Sequence, residues 1–456
     1  TFTSDPRLGP LIWVDDRADE SFTVYDHPKP IIFKRTRQLS DQELWSLLGD
    51  TWRGAIPHWV GDRKPPAGAQ ETARRKSLSL SRPVDQLPVV DDFRWNRLAS
   101  ERHGLAVVQW WLTLTILGLA AAPLAYHTFG RLRDRGWALS KALGLLAVGY
   151  LNWIGASLRL TQNRTLVIAG CLALVAGASA LLFLRRRAEM IEFVRRRWRL
   201  LLAIEGLFAL AYGLFVLIRL FNPDLWQPWS GGEKSMEFAF LNAVLKSAYF
   251  VPYDPYFAHG TLNYYYYGQY LVSLLIKLTG ITPSVAFNLA VPTLFALTVS
   301  GAFGVGYTLA GRLRRRSGGE AGWTSGLGGG LLAAAFVAVM GNLAAFSQMV
   351  RAVGSLSRVE FVSNIPGLQP RARFVPGLAR LLGGDPLPPF DYWRVTRIIP
   401  PTINEFPFWS FLFTDLHPHM IGSPGTLVVI GLALNLFLTP AAPSARGRRY
   451  AVATLA

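Results

Sequence analysis

Long apolar stretches alternate with short arginine-rich ones along most of the chain. An α-helix rises about 1.5 Å per residue, so crossing a hydrocarbon core takes about 20 apolar residues. The runs at 105–126, 142–158, 165–184, 200–221, 284–310, 325–346 and 424–439 reach or approach that length and predict membrane-spanning helices. Tyr267–Leu278 is also apolar, but as a helix it extends only about 18 Å, too short to cross. It predicts a helix lying in the outer interface, closed by Lys277.

The residues before the first run follow another pattern. Phe22–Tyr25 and Ile31–Lys34 flank the turn Asp26-His27-Pro28 and predict two short strands. Ser40-Asp41-Gln42-Glu43 is a capping-box signal for a short helix through Leu48. Residues 57–90 are rich in Pro, Arg and Ser. The expected organisation is therefore a small α+β tail of a preceding extracytoplasmic soluble unit at 1–50, a Pro/Arg/Ser-rich linker at 51–104, and a membrane domain at 105–456. The chain does not open on Met and its last residues enter a new apolar run, so the membrane domain is expected to be truncated at its C-terminus.

Composition agrees with the membrane class: 51% of residues are hydrophobic and only 17% charged. Cys171 is the one cysteine, which excludes disulfide frameworks and thiolate metal clusters within the chain. The formal net charge of +18 would by itself suggest a nucleic-acid partner, but its placement argues against one. Most of the excess lies in four loops beside apolar helices: Arg131–Lys141, Arg185–Arg199, Arg312–Arg316 and Arg446–Arg449. That distribution follows the positive-inside rule for a multi-pass protein of the cell membrane. With these loops cytoplasmic, residues 1–104, 222–283 and 347–423 fall outside. Arg94, Arg97 and Arg102 also fall outside, where long translocated segments are largely exempt from the rule.

The two later outer segments carry the candidate chemistry. Residues 234–248 form an amphipathic pattern, with Phe238, Leu241, Leu245 and Ala248 on one face and Lys234 and Glu237 towards the other. Glu233 and Glu237, four apart, share a helical face. After Pro252, Asp254 and Pro255 come the consecutive tyrosines Tyr264, Tyr265, Tyr266 and Tyr267, readable as an aromatic belt or as part of a ligand surface. The run Thr402–His419 sets Glu405, Asp415, His417 and His419 among apolar residues. Asp415, His417 and His419 suit a divalent cation or a phosphate, or form an ordered loop whose polar groups bond one another. Arg219, at a span end, either snorkels to the interface or holds phosphate. Glu205, near the inner end of its span, is expected to pair with a neighbouring Arg.

Tyr264–Gly268, with Gly232-Glu233-Lys234, Pro252-Tyr253-Asp254-Pro255 and Glu405–His419, resembles the landmarks of the "YYY" integral membrane proteins, an uncharacterised family, over roughly 105–456. More distantly, the order Leu200–Phe221, Glu237, Pro252–Tyr267, Gly268–Gly280, Pro283–Ala310, Arg312–Arg316 is similar to that of GT-C glycosyltransferases. That resemblance implies an all-α polytopic GT-C-like helical bundle with outer interfacial helices. It also implies transfer of a sugar from a polyprenyl-phosphate donor to an extracytoplasmic acceptor, with an acid of the first outer loop as base. By position that acid is Glu237, with Asp254 second. Glu233, Lys234, Tyr264–Tyr267, Arg219, Glu405, Asp415, His417 and His419 would bind substrate, and the cofactor, otherwise unspecified, would be a divalent cation. The chain departs from the pattern in lacking an adjacent Asp-Glu pair, in carrying tyrosines where His-Pro-Pro is usual, and in having three spans before the aligned one. The competing classes are a transporter or flippase, for which Asn152, Asn342 and Gly326–Gly330 are the midplane candidates, and a non-catalytic scaffold.

Overall fold

The computed structural model describes residues 80, 82–225, 232–257, 260–317, 322–361, 364–365, 368, 372–399 and 402–439, with residues 7, 8, 11, 12, 40, 42, 43 and 46 near the N-terminus. Helices dominate. They are α1 (His103–Thr128), α2 (Ser140–Ser157), α3 (Thr165–Arg185), α4 (Arg187–Phe221), α5 (Lys234–Lys246) and α6 (Tyr266–Thr279). Then follow α7 (Pro283–Arg316), α8 (Leu327–Ala334), α9 (Ala344–Ser355), α10 (Phe374–Leu382), α11 (Pro407–Phe413) and α12 (Pro418–Phe437).

Among the described residues, α1, α3, α4, α7 and α12 are long and apolar enough to cross a membrane. The protein is a multi-pass integral membrane protein. α2, expected as a span, is diluted by Lys141 and Asn152 and does not qualify on apolarity, yet it runs between the same two ends of the bundle. The loop before α2 meets α7 and α12, where Arg312 donates to the Arg131 carbonyl and the Arg131 N–H to Asn435. The loop after α2 meets the far end, where the Asn163 N–H donates to the Ala248 carbonyl. The span expected at 325–346 is broken. α8 runs on through a π-helical turn to Val339, the chain bends by 78°, and α9 leaves in a new direction. Gly341-Asn342 marks the break, and the Asn342 side chain accepts from the Ala344 N–H at the start of α9.

α7 is the central post. Pro283 at its first turn presets the helical φ, the run Arg314–Arg316 marks its last turn, and 94% of its most apolar window is buried inside protein. It packs on α4, α8 and α12. Its contact with α8 is close because the facing positions are small: a Cβ on Gly329 would sit 2.2 Å from that of Ala310, and one on Gly306 2.4 Å from that of Ala333. α1 packs on α2 and α3 and is tied to α7 by the Trp110 indole donating to Thr293. The Arg133 side chain donates to the Gly322 and Ser325 carbonyls, gathering the basic loops at one end. There Glu205 meets Lys141 at 2.6 Å and accepts from Trp137, so its partner is a lysine and not the expected arginine.

At the opposite end, α5 lies on α6, and residues 87–96 run along both. The Val90 N–H donates to the Lys246 carbonyl and the Asn96 N–H to that of Gly280, while Asp92 accepts from the Thr165 N–H and faces Lys277 at 3.5 Å. α6 is not the lipid-facing interfacial helix expected. Gln269, Ser273 and Lys277 are as buried as its leucines, because α1, α2, α3, α5, α7 and α12 enclose it.

The expected α+β tail is overturned, and the fold is an all-α polytopic bundle. Among the described N-terminal residues the only pairing is a two-residue antiparallel ladder, Arg7–Leu8 with Leu11–Ile12, too short to support a core. The predicted strands Phe22–Tyr25 and Ile31–Lys34 lie outside the described residues. The capping box does form: the Ser40 N–H donates to the Glu43 carboxylate and the Glu43 N–H to Ser40 Oγ.

Candidate functional site

The site forms where the start of α5 meets the loop between α11 and α12. Pro407 opens α11, whose apolar residues seat Trp409 and Phe411 in the interior. The helix ends at Thr414, which has a φ of 67°, and its N–H closes the last turn on the Ser410 carbonyl. That left-handed residue is costly for a β-branched side chain. It turns Asp415-Leu416-His417 back over α5 before Pro418 opens α12.

A side chain from each of two spans holds the turn. Arg219 of α4 is 4% exposed. Its Nη1 donates to Thr414 Oγ1 at 2.9 Å, and its Nε and Nη2 donate to Asn288 Oδ1 of α7 at 2.9 and 2.5 Å. Arg219 is thus a bracket between spans and loop, not a side chain reaching for the interface. Beneath it Phe215, Phe295 and Phe411 stack edge to face or tilted, with Phe215 and Phe295 centroids 4.0 Å apart, and floor the site against the apolar interior.

Above that floor the acids converge. Glu237 and Asp415 are both wholly buried. The Leu416 N–H donates to Glu237 Oε2, and the Glu233 N–H donates to Asp415 Oδ2 at 2.7 Å, so each loop supplies a backbone donor to the other's carboxylate. Glu237 Oε1 and Asp415 Oδ1 are buried without a hydrogen-bond partner. His417 Nδ1 stands 3.3 Å from Glu237 Oε1 and 3.7 Å from Glu233 Oε2. Its Nε2 stands 3.8 Å from Glu405 Oε2 and 4.0 Å from Asp415 Oδ2. The polar face of α5 therefore does not look to water as its amphipathic pattern suggested. A loop some 180 residues onward covers it.

Electrostatics follow from this crowding. Burial, and then the neighbouring Glu237 carboxylate, push Asp415 up to about 7. Burial likewise raises Glu237 and lowers Lys234. For His417, burial opposes the charge, but the carboxylates of Glu237, Asp415 and Glu405 outweigh it and carry the imidazole up to about 9. Protons and cations are thus drawn to a centre that apolar walls keep from water.

The other expected residues stand as follows. His419 turns to Ser410 Oγ at 2.9 Å and to Glu405 at 3.5 Å, so Asp415, His417 and His419 do not close on one point. The group that does is Glu233, Glu237 and His417, with one ligand atom from each lying within 4.8 Å of the others. Lys234 is buried, its Nζ 5.7 Å from the Phe413 ring. Asp254 Oδ1 accepts from the Tyr256 and Phe257 N–H groups and organises its own turn. Tyr264 packs on Phe240, Tyr266 stacks on Phe250 and accepts from Trp153, and Tyr267 meets Trp153 edge to face. Tyr265 is 53% exposed. These tyrosines build an aromatic wall behind α5 and α6. Sequence reasoning missed Thr414, Ser410 and Asn288. Asn288, a polar residue within an apolar span, carried a usable signal; the other two lay unremarked inside the Thr402–His419 run.

A model of an uncharacterized membrane protein family, DUF2298, matches residues 147–456. No curated protein and no solved structure matches the chain, so the comparisons give the expected GT-C likeness no support. The match takes in α5, the tyrosine run and the Glu405–His419 loop, all of the residues that build the acid centre, and the chain belongs to the DUF2298 family of membrane proteins.

Proposed function

We propose that this protein moves a sugar from a polyprenyl-phosphate donor to an acceptor on the extracytoplasmic side of the cell membrane, with the acid centre outside and the arginine-rich loops inside. The observation that carries the reading is the pair of wholly buried carboxylates, Glu237 and Asp415, set with His417 at the end of membrane-spanning helices. A lipid-borne phosphate can reach such a place with its chain still in the bilayer. The topology and substrate expectations from the sequence are parts of the same proposal.

In the transfer, an acceptor hydroxyl attacks the anomeric carbon. The bond from that carbon to the phosphate oxygen breaks with its electron pair, and polyprenyl phosphate leaves. A carboxylate takes the acceptor proton. We assign that role to Asp415 in preference to Glu237 or Asp254. Asp254 Oδ1 is engaged by its turn, and the free oxygen of Glu237 already faces His417. The free oxygen of Asp415 has no hydrogen-bond donor and faces Gly232, which carries no side chain to cover it. Lys234 and Arg219 supply positive charge for the leaving phosphate.

The test is transfer from a radiolabelled polyprenyl-phosphate sugar by the purified protein in liposomes. Asp415→Asn keeps the size and is expected to lower the rate by about two to four orders of magnitude, the range for loss of a general base. Absence of transfer by wild-type protein across a panel of sugars, or an Asp415→Asn variant as fast as wild type, would sink the reading.

A further inference from the structure

We infer that Glu233, Glu237 and His417 form a binding site for one divalent transition-metal cation. The inference concerns what the site binds and holds whatever group it transfers.

Three independent features point to a ligand. Glu233 lies at the N-cap of α5 and Glu237 one turn on, with the Glu237 N–H bonded to the Glu233 carbonyl, so both carboxylates leave the helix on the same side. His417 is placed opposite them by the left-handed Thr414 and by Pro418. Its Nδ1 lies 3.3 and 3.7 Å from the nearer oxygens of Glu237 and Glu233. Ligand atoms about 2.0–2.1 Å from a tetrahedral ion are separated by roughly 3.3 Å, so these spacings suit one shared cation.

The second feature is the orphan oxygen. Glu237 Oε1 has no solvent access and no hydrogen-bond donor, although His417 Nδ1 is within reach in distance. A buried carboxylate oxygen left in that state is costly, and a cation resolves the cost.

The third feature is the surrounding support. Glu237 Oε2 is fixed by the Leu416 N–H, and His417 Nε2 faces the Glu405 carboxylate at 3.8 Å. A histidine whose outer nitrogen looks to a carboxylate is the usual setting of an imidazole ligand. Glu405 is in turn oriented by Ser410. Two carboxylates and one imidazole suit Mn²⁺ or Zn²⁺ better than a thiolate-seeking ion. Half-exposed Glu233 leaves the site a route for exchange.

The probe is Mn²⁺ added to the chelator-treated full chain in detergent, with bound and free ion separated by electron paramagnetic resonance. Wild type should take up about one Mn²⁺ per chain, displaced by Zn²⁺. Glu233→Gln, at a half-exposed position where folding is insensitive, should weaken binding at least tenfold, the scale on which even outer-shell changes act. Glu237→Gln and His417→Ala should abolish it, while His419→Ala should retain it. No uptake by wild type, or equal uptake by Glu233→Gln and Glu237→Gln, would overturn the assignment. Loss in His419→Ala with retention in Glu233→Gln would overturn it too, by moving the ion to the other side of His417. Because binding is read without any sugar, its failure is separable from failure of the transfer reading.

Discussion

Replacing Arg219 by Lys tests the bracket that holds the acid loop on the membrane helices. The guanidinium is almost wholly buried and spans two acceptors on different elements, Asn288 of α7 and Thr414 of the loop. A lysine keeps the charge but reaches only one point, so one acceptor loses its partner. A hydrogen bond to a charged group contributes about 1.5–3 kcal/mol. The expected destabilisation is therefore about 2–3 kcal/mol, with the contact to Thr414 lost first because the guanidinium gives Asn288 two bonds and Thr414 one. Thr414→Val removes the same contact from the other end while keeping the branched shape, and is expected to cost about 1.5–2 kcal/mol. Because both changes break one bond, the double variant should fall short of the sum by about 1–2 kcal/mol. Unfolding titrations of the purified protein in mixed micelles, followed by tryptophan fluorescence, measure all four corners of the cycle. Additive effects would refute the reasoning, as would an Arg219→Lys variant within about 0.5 kcal/mol of wild type.

Topology is tested by single cysteines at exposed positions in a Cys171→Ala background. Ser355→Cys should react with an impermeant thiol reagent on intact cells and Ser317→Cys only after permeabilisation, and the reverse pattern would invert the bundle. Gly329→Ala should destabilise by about 1–3 kcal/mol in the same micelle titration, since its Cβ would meet that of Ala310 at 2.2 Å; a neutral result would mean that α7 and α8 part easily. Lys141→Met strands Glu205 at the basic end, and because that carboxylate is 27% exposed the expected loss is about 2 kcal/mol, below the range for fully buried pairs. A stability equal to wild type would show that water already reaches the pair.

The spans were the most legible part of the sequence, because apolar length is a local property that tertiary contacts seldom override. α1, α3, α4, α7 and α12 fall where uninterrupted hydrophobicity predicts them. The break at Gly341-Asn342 was harder to see, since one asparagine does not by itself end an apolar helix, as Asn152 within α2 shows, and the bend is accompanied by a contact from Asn342 to the distant Val395 carbonyl. Misreading of α5 and α6 had a single cause. Amphipathic or short apolar helices predict an exposed face only when nothing else covers it, and here the α11–α12 loop covers one and six helices enclose the other. The residues of the acid centre were nearly all named from local pattern. Their grouping was not, because the imidazole that joins Glu233 and Glu237 comes from far along the chain, and Pro418 hid which of the two histidines would turn inward.

The strip of chain at 87–96 sets where a self-sufficient fragment of this protein has to begin. The family match starts at 147, inside α2, and the apolar runs start at 105. A fragment cut at either place would lose Asp92, leaving the buried Lys277 ammonium without its counter-charge and the Thr165 N–H at the head of α3 uncapped. It would also free the Lys246 carbonyl at the end of α5, one helix length from the acid centre. Boundaries drawn from hydrophobicity or from family likeness thus fall downstream of a segment that this end of the bundle uses as its clasp, and the soluble-looking stretch before the first span is bonded into the helices that follow it.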